Sequence, residues 1–229
     1  MQIPAMMSLL LVSMGLLEAL QAQIHPITRR DLFSREMPLD MALASFDDQY
    51  AGCAAAMTAA LPDLNRTEFQ ANRVPTHLPP PPGFRDEHGV ALLAYTANSP
   101  LHKEFNAAVR EAGRSRAHYL HHFSFKTLHF LLTEALQLLG RGQRSPQCRQ
   151  NVAAQQFGED TFFGIWTCLG APVKGYSFFP GEEEVLIPPF ETFQVINASR
   201  PAQGPARIYL RALGKRSTYN CEYIKGERA

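Results

Sequence analysis

The period of the apolar residues changes once along this chain. Met41, Leu43, Phe46, Tyr50 and Cys53 recur at helical spacing with alanines filled in between, so "DMALASFDDQYAGCAAAMTAAL" predicts a helix that Pro62-Asp63 breaks. Ala71 to Phe84, "ANRVPTHLPPPPGF", predicts a loop within a domain, because consecutive prolines favour polyproline II and cannot sit inside a helix. A second helix is expected over "PLHKEFNAAVREAG", with Ser99 as N-cap, Pro100 at the first helical position and Gly113 as its stop. A third, "FKTLHFLLTEALQLLG", ends at Gly140. Beyond Gly140 the runs shorten. "DTFFGIWTCLG", "GYSFF", "EEVLIPPFETFQVIN" and "ARIYLRALG" are rich in aromatic and β-branched residues, are punctuated by Gly and Pro, and read as strands. Helices first and strands second predict an α+β fold with segregated elements.

The N-terminal run stands apart from this pattern. Ala5 to Leu17 is apolar and is followed by small or polar residues to Ala22, the order of a secretory signal and too short for a comfortable membrane span. Residues 1–22 are therefore expected to be a signal peptide and 23–229 a single domain. Export changes how the cysteines are read. Cys53, Cys148, Cys168 and Cys221 form no C-x-x-C pair, so two disulfides are expected, with three connectivities open. Asn65-Arg66-Thr67 and Asn197-Ala198-Ser199 are sequons that suit a secreted glycoprotein. The C-terminus has no hydrophobic tail, so neither a membrane span nor a GPI-anchor signal is expected. A formal net charge of +1 provides no field that would favour nucleic acid.

Candidate chemistry is sparse. His118 and His122 are four apart, near His121 and His129, but no H-E-x-x-H or neighbouring carboxylate completes a metal site, and none is expected. The "GRG" at 140–142 lacks the remainder of a dinucleotide fingerprint, and no G-x-S-x-G occurs. Glu182-Glu183-Glu184 remains. In a strand, Glu182 and Glu184 would share one face, disfavouring joint ionisation and raising one pKa, a pairing suited to an oxocarbenium-like centre. Spacing alone favours a solvated acidic turn.

Longer motifs decide between these. "FGEDTFFGIWTCLGAP", "GYSFFPGEEEVLIPPFETFQV", "LLAYTANSPLHKEFNAAVREAG" and "FDDQYAGC" together resemble the vertebrate arginine-specific ecto-ADP-ribosyltransferases, GPI-anchored members in particular. The resemblance runs from the N-terminus to about Ile224. It implies a mainly antiparallel two-sheet β core behind the helices, and transfer of ADP-ribose from NAD to extracellular protein arginines with release of nicotinamide. No metal is implied. By the family's Glu-x-Glu motif, Glu184 is the catalytic carboxylate and Glu182 gives arginine specificity. Tyr95 and Ser177 line the NAD site, Phe178 and Phe179 help to present the acceptor, and the disulfides are Cys53–Cys221 and Cys148–Cys168.

This sequence also departs from the family. Its arginine strand and its Ser-x-Ser strand should follow the second cysteine, yet Cys148 runs directly into "RQNVAAQQFGED". Arg149 lacks the motif's context, and "RSRA" (Arg114 to Ala117) has alanine where the second serine belongs. A shorter gap falls around Val74 to Pro82. The chain is thus expected to be a shortened form with missing strands, its NAD binding weakened. The alternative is a catalytically impaired relative that acts, if at all, by binding.

Overall fold

The computed structural model describes residues 4–6, 11–12, 39–68, 80–141, 148, 150–154, 161–201 and 204–227. Arg149 and most of the proline loop lie outside them. Helices α1 (Ala54–Glu68), α2 (Asp86–Thr96), α3 (Leu101–Ala112), α4 (Arg116–His122) and α5 (Lys126–Arg141) precede the sheet strands β3 (Gln150–Ala154), β4 (Thr161–Thr167), β5 (Ala171–Pro172), β6 (Val185–Leu186), β7 (Glu191–Ser199) and β8 (Ala206–Lys215). A short α6 (Glu222–Glu227) follows. Two further strands, β1 (Pro4–Met6) and β2 (Leu11–Val12), fall within the expected signal segment.

Two sheets form, in orders β1-β7-β8-β4-β3 and β2-β6-β5. Every pairing is antiparallel except β4 with β8. β1 and β2 cover the edges of β7 and β6, so removal of residues 1–22 would leave both edges open.

Three expectations need correction. The first helix begins thirteen residues late and runs through Pro62 rather than stopping there. Leu61 and Leu64 are buried, and this packing outweighs the hydrogen bond that proline cannot make. Residues 41–53 are irregular because their polar groups bond to distant backbone. Asp47 accepts from Thr218 N and Tyr219 N at 2.8–3.0 Å. Asp48 accepts from Tyr50 N, Cys221 N and Glu222 N at 2.7–3.0 Å. Finally, "GYSFF" forms turns rather than a strand.

The start of α3 lies one residue later than expected: Pro100 rather than Ser99 is the N-cap and Leu101 the first helical residue, although Ser99 Oγ accepts from Leu101 N at 3.3 Å. Gly113 ends that helix, and a Cβ there would lie 2.4 Å from Ser45 O, so only glycine permits this close approach of two backbone segments. Cys53 is bridged to Cys221 and Cys148 to Cys168. His129 is a buried histidine with both ring nitrogens hydrogen-bonded. Its Nε2–H donates to Phe46 O at 3.3 Å, its Nδ1 accepts from the Tyr50 hydroxyl at 2.9 Å, and burial pulls its pKa down to about 4. His118 and His122 lie on α4 with ring centroids 5.1 Å apart, and no group of three metal-ligating side chains gathers among the described residues.

Candidate active site

The acidic run lies in the loop from β5 to β6, a chain reversal held by its own backbone. Tyr176 N donates to Val173 O at 2.7 Å, Glu182 N to Phe179 O at 3.0 Å, and Val173 N to Glu184 O at 3.0 Å. The helical half fixes the loop from outside: the Thr96 hydroxyl, on the last residue of α2, accepts from Phe178 N at 2.8 Å. α2 is itself anchored at its other end. His88 Nδ1 accepts from Arg85 N at 3.0 Å and its Nε2–H donates to Glu134 Oε2 of α5 at 2.9 Å, while Arg85 Nη2 reaches the same oxygen at 3.1 Å.

The glutamates sit just before β6 rather than within it, and their environments differ sharply. Glu183 is exposed and 3.7 Å from Lys174 Nζ across solvent. Glu182 is half-buried. Glu184 is 0 % exposed. Its Oε2 accepts a short hydrogen bond from Ser177 Oγ, and Ser177 Oγ in turn accepts from Phe179 N at 3.0 Å. Its Oε1 is buried with no hydrogen-bond partner among the described residues. Burial pushes the Glu184 pKa up to about 7; the Ser177 hydroxyl opposes this and the Glu182 charge adds to it.

Tyr95 lies close enough for the Glu184 charge, after burial, to raise its pKa further. Its ring is fully buried against Phe105, and its hydroxyl exchanges hydrogen bonds with Asn106 at 3.1–3.2 Å. Phe178 and Phe179 stand exposed on the same loop, edge to face with centroids 5.1 Å apart. Among the described residues no cation pairs with Glu182 or Glu184. The "RSRA" stretch belongs elsewhere: Ser115 caps α4 by accepting from His118 N at 3.0 Å, and Arg116 pairs with Glu222 at 3.3 Å.

Sequence reasoning missed Thr96, whose bond to Phe178 spans 82 residues of chain. It also missed Glu191, whose buried carboxylate accepts from Thr167 Oγ1, from Cys168 N at 2.6 Å and from Leu169 N at 3.0 Å, fixing the turn into β5. The sequence held no local signal for Thr96. For Glu191, the buried strand around it could have raised the question of its partner.

A buried carboxyl with a raised pKa and an unpartnered oxygen, with a second carboxylate two residues away, is an arrangement that can accept a hydroxyl and stabilise positive charge. The chain belongs to the NAD:arginine ADP-ribosyltransferase family, whose pattern matches residues 39–152 and 148–218. It is 72 % identical to the human GPI-linked NAD(P)(+)–arginine ADP-ribosyltransferase 1, over 100 % of this chain and 87 % of that protein. It is 42 % identical to the chicken erythroblast NAD(P)(+)–arginine ADP-ribosyltransferase, over 85 % and 78 % respectively. The crystal structure of the eukaryotic mono-ADP-ribosyltransferase ART2.2 superposes with a TM-score of 0.63 at 34 % identity, covering 80 % of this chain and 98 % of that one. Glutamate-substituted variants of ART2.2 have been crystallised with NADH and with NAD.

The same comparisons bear on the expected gap. The alignment with the human relative has 284 positions against 229 residues here, a difference of 55 that must be gaps in this chain. The family pattern itself matches in two pieces that meet at residues 148–152. That is where the arginine and Ser-x-Ser strands were expected.

Proposed function

We propose that this chain carries out the family's reaction, transfer of ADP-ribose from NAD to an arginine side chain with release of nicotinamide, at a rate limited by its shortened NAD site. The observation that carries this is the unpartnered Oε1 of fully buried Glu184, held in place through Ser177. That oxygen fits a ribose hydroxyl, and an ionised Glu184 stabilises positive charge on the ribose as its bond to nicotinamide breaks and the electron pair leaves with the nicotinamide. Glu182 faces the acceptor guanidinium and takes the proton it loses as its nitrogen bonds to the ribose carbon. In this reading Tyr95 and Ser177 line the NAD site, and Phe178 and Phe179 offer an apolar surface to the acceptor.

Positioning the dinucleotide ordinarily requires cations around its phosphates, and among the described residues no cation is paired with Glu182 or Glu184. This favours a second reading for the isolated chain: the carboxylate half of the site retained, substrate positioning impaired. Labelled NAD with agmatine as acceptor separates the two. Slow transfer that Glu184→Gln abolishes supports the enzyme; no transfer and no NAD-induced thermal shift supports the impaired form. Residues 1–22 act as the export signal in this reading, which places the 23–229 domain outside the cell, where Asn65 and Asn197 can be glycosylated. Among the described residues no helix is long and apolar enough to cross a membrane.

A further inference from the structure

Strand alternation in the larger sheet separates two apolar faces. Phe163, Ile165, Phe193, Leu210 and Ile208 point inward, where they pack with Ile187. The opposite face carries Phe162, Gly164 and Trp166 from β4 beside Tyr209 and Arg211 from β8. Gly164 and Tyr209 are register partners, and a Cβ on residue 164 would lie 2.6 Å from Tyr209 Cδ1. Glycine thus allows the tyrosine ring to lie flat across the neighbouring strand. Phe162 and Trp166 flank that ring with centroids 6.2 and 6.3 Å away. The result is a row of three partly exposed aromatic rings on the outside of the sheet.

On β7 a bulge at Ile196 resets the alternation, so Val195 pairs with Leu210 on the inner side and Asn197 pairs with Tyr209 on the outer side. Directly opposed residues of an antiparallel pair share a face, so exposed Asn197 stands beside the Tyr209 ring. Asn197 is the asparagine of the Asn197-Ala198-Ser199 sequon.

We propose that the N-linked glycan on Asn197 folds back onto this row, its first N-acetylglucosamine stacking on Tyr209 and its second reaching toward Trp166. This rests on the export proposed above. In forming the linkage, Asn197 Nδ2 bonds to C1 of the first sugar as C1 separates from its lipid-pyrophosphate carrier, and the amide proton leaves with the carrier. The flat C–H face of a pyranose complements the electron-rich face of an aromatic ring. From β7 to β4 is two strand spacings, about 10 Å, which a two-sugar core spans. The covalent tether makes the contact intramolecular, so a weak stacking interaction suffices. Arg211, cross-strand partner of Gln194 and register partner of Trp166, supplies donors for the sugar hydroxyl and acetamido oxygens. The sugar covers apolar surface that the sheet otherwise presents to solvent.

Trp166 is the single tryptophan of the chain and reports on the contact directly. The full chain, secreted from glycosylating eukaryotic cells, is mapped by glycopeptide mass. Its tryptophan emission, acrylamide quenching and Tm are then read before and after enzymatic N-glycan removal under native conditions. Removal should shift emission to longer wavelength, increase quenching and lower Tm by about 3 °C. Asn197→Gln should show the deglycosylated values from the outset, and Asn65→Gln should still respond. Unchanged quenching on removal, an unoccupied Asn197 in secreted protein, or a response abolished by Asn65→Gln instead would each overturn the proposal. Failure of the chain to be secreted overturns the export reading and this one with it.

Discussion

Glu184→Gln tests the electrostatics of the site apart from its chemistry. The carboxyl has an ordinary pKa of 4.5 and is pushed up to about 7 in the folded chain, chiefly by burial. Between those values the native state holds a proton that the unfolded state has released, so its contribution is complete below pH 4.5 and lost as pH rises through 7. A displacement of that size corresponds to about 3 kcal/mol. Asp47, Asp48 and Glu191 are also raised by burial and slope the same way, so the informative quantity is the difference between the parent chain and the variant. Urea unfolding at intervals from pH 4 to pH 8 should give a parent that loses stability relative to Glu184→Gln across this window, by up to about 3 kcal/mol at the alkaline end. Activity should run the opposite way, since only the ionised carboxylate stabilises a cationic ribose: kcat/KM rises through pH 7 as stability falls. Parallel stability profiles for the two chains would refute the buried, high-pKa assignment of Glu184.

Ser177→Ala removes the hydrogen bond that opposes the Glu184 shift, so the rise of any activity with pH should move to higher pH while the fold persists by circular dichroism. Asp48→Ala strands the N–H groups of Tyr50, Cys221 and Glu222 and should lower unfolding free energy by about 2–3 kcal/mol, read from the urea midpoint. Pro62→Ala restores a donor to the exposed interior of α1 and should raise stability by about 1–3 kcal/mol, seen as a Tm increase of several degrees.

How much of this was legible in the sequence depends on where each element's partners lie. α3 and α5 carry their signals locally, as helical periodicity with a serine and a proline before one start and glycines at or near both ends, and each forms within a residue of the expected bounds. α2 does not. Its residues 88–92 are all buried, so no polar face marks a period, and Gly89 weakens the local preference. The segment 41–53 has helical spacing but yields to Asp47 and Asp48, whose backbone partners lie about 170 residues away. The glutamate site shows the same division. Resemblance identified the residues, but what makes Glu184 different from Glu183 is burial and the Thr96 anchor, neither of which has a local sequence signal.

The same geometry indicates what the shortened chain retains. The bonds that shape the acidic loop come from residues 96 and 173–184, and α2's anchor comes from residues 85, 88 and 134. Among the described residues these bonds close within the loop, α2 and α5, all of which are present in this chain. The resemblance leads one to expect an arginine strand and a Ser-x-Ser strand after Cys148, and in the proposed reading these position NAD. Grafting a segment that carries the family's arginine and Ser-x-Ser strands between Cys148 and Val152 should therefore restore NAD binding and transfer without altering the loop. The grafted chain should gain an NAD-induced rise in Tm, and its kcat/KM with agmatine should increase by at least about 100-fold, the scale of a lost electrostatic clamp. Glu184→Gln in the grafted chain should abolish transfer while leaving most of the NAD-induced Tm rise, because the clamp rather than the carboxylate holds the phosphates. If the graft binds NAD yet transfers nothing, the loop is not in a productive arrangement. If it binds no NAD, the missing strands are not what limits this chain.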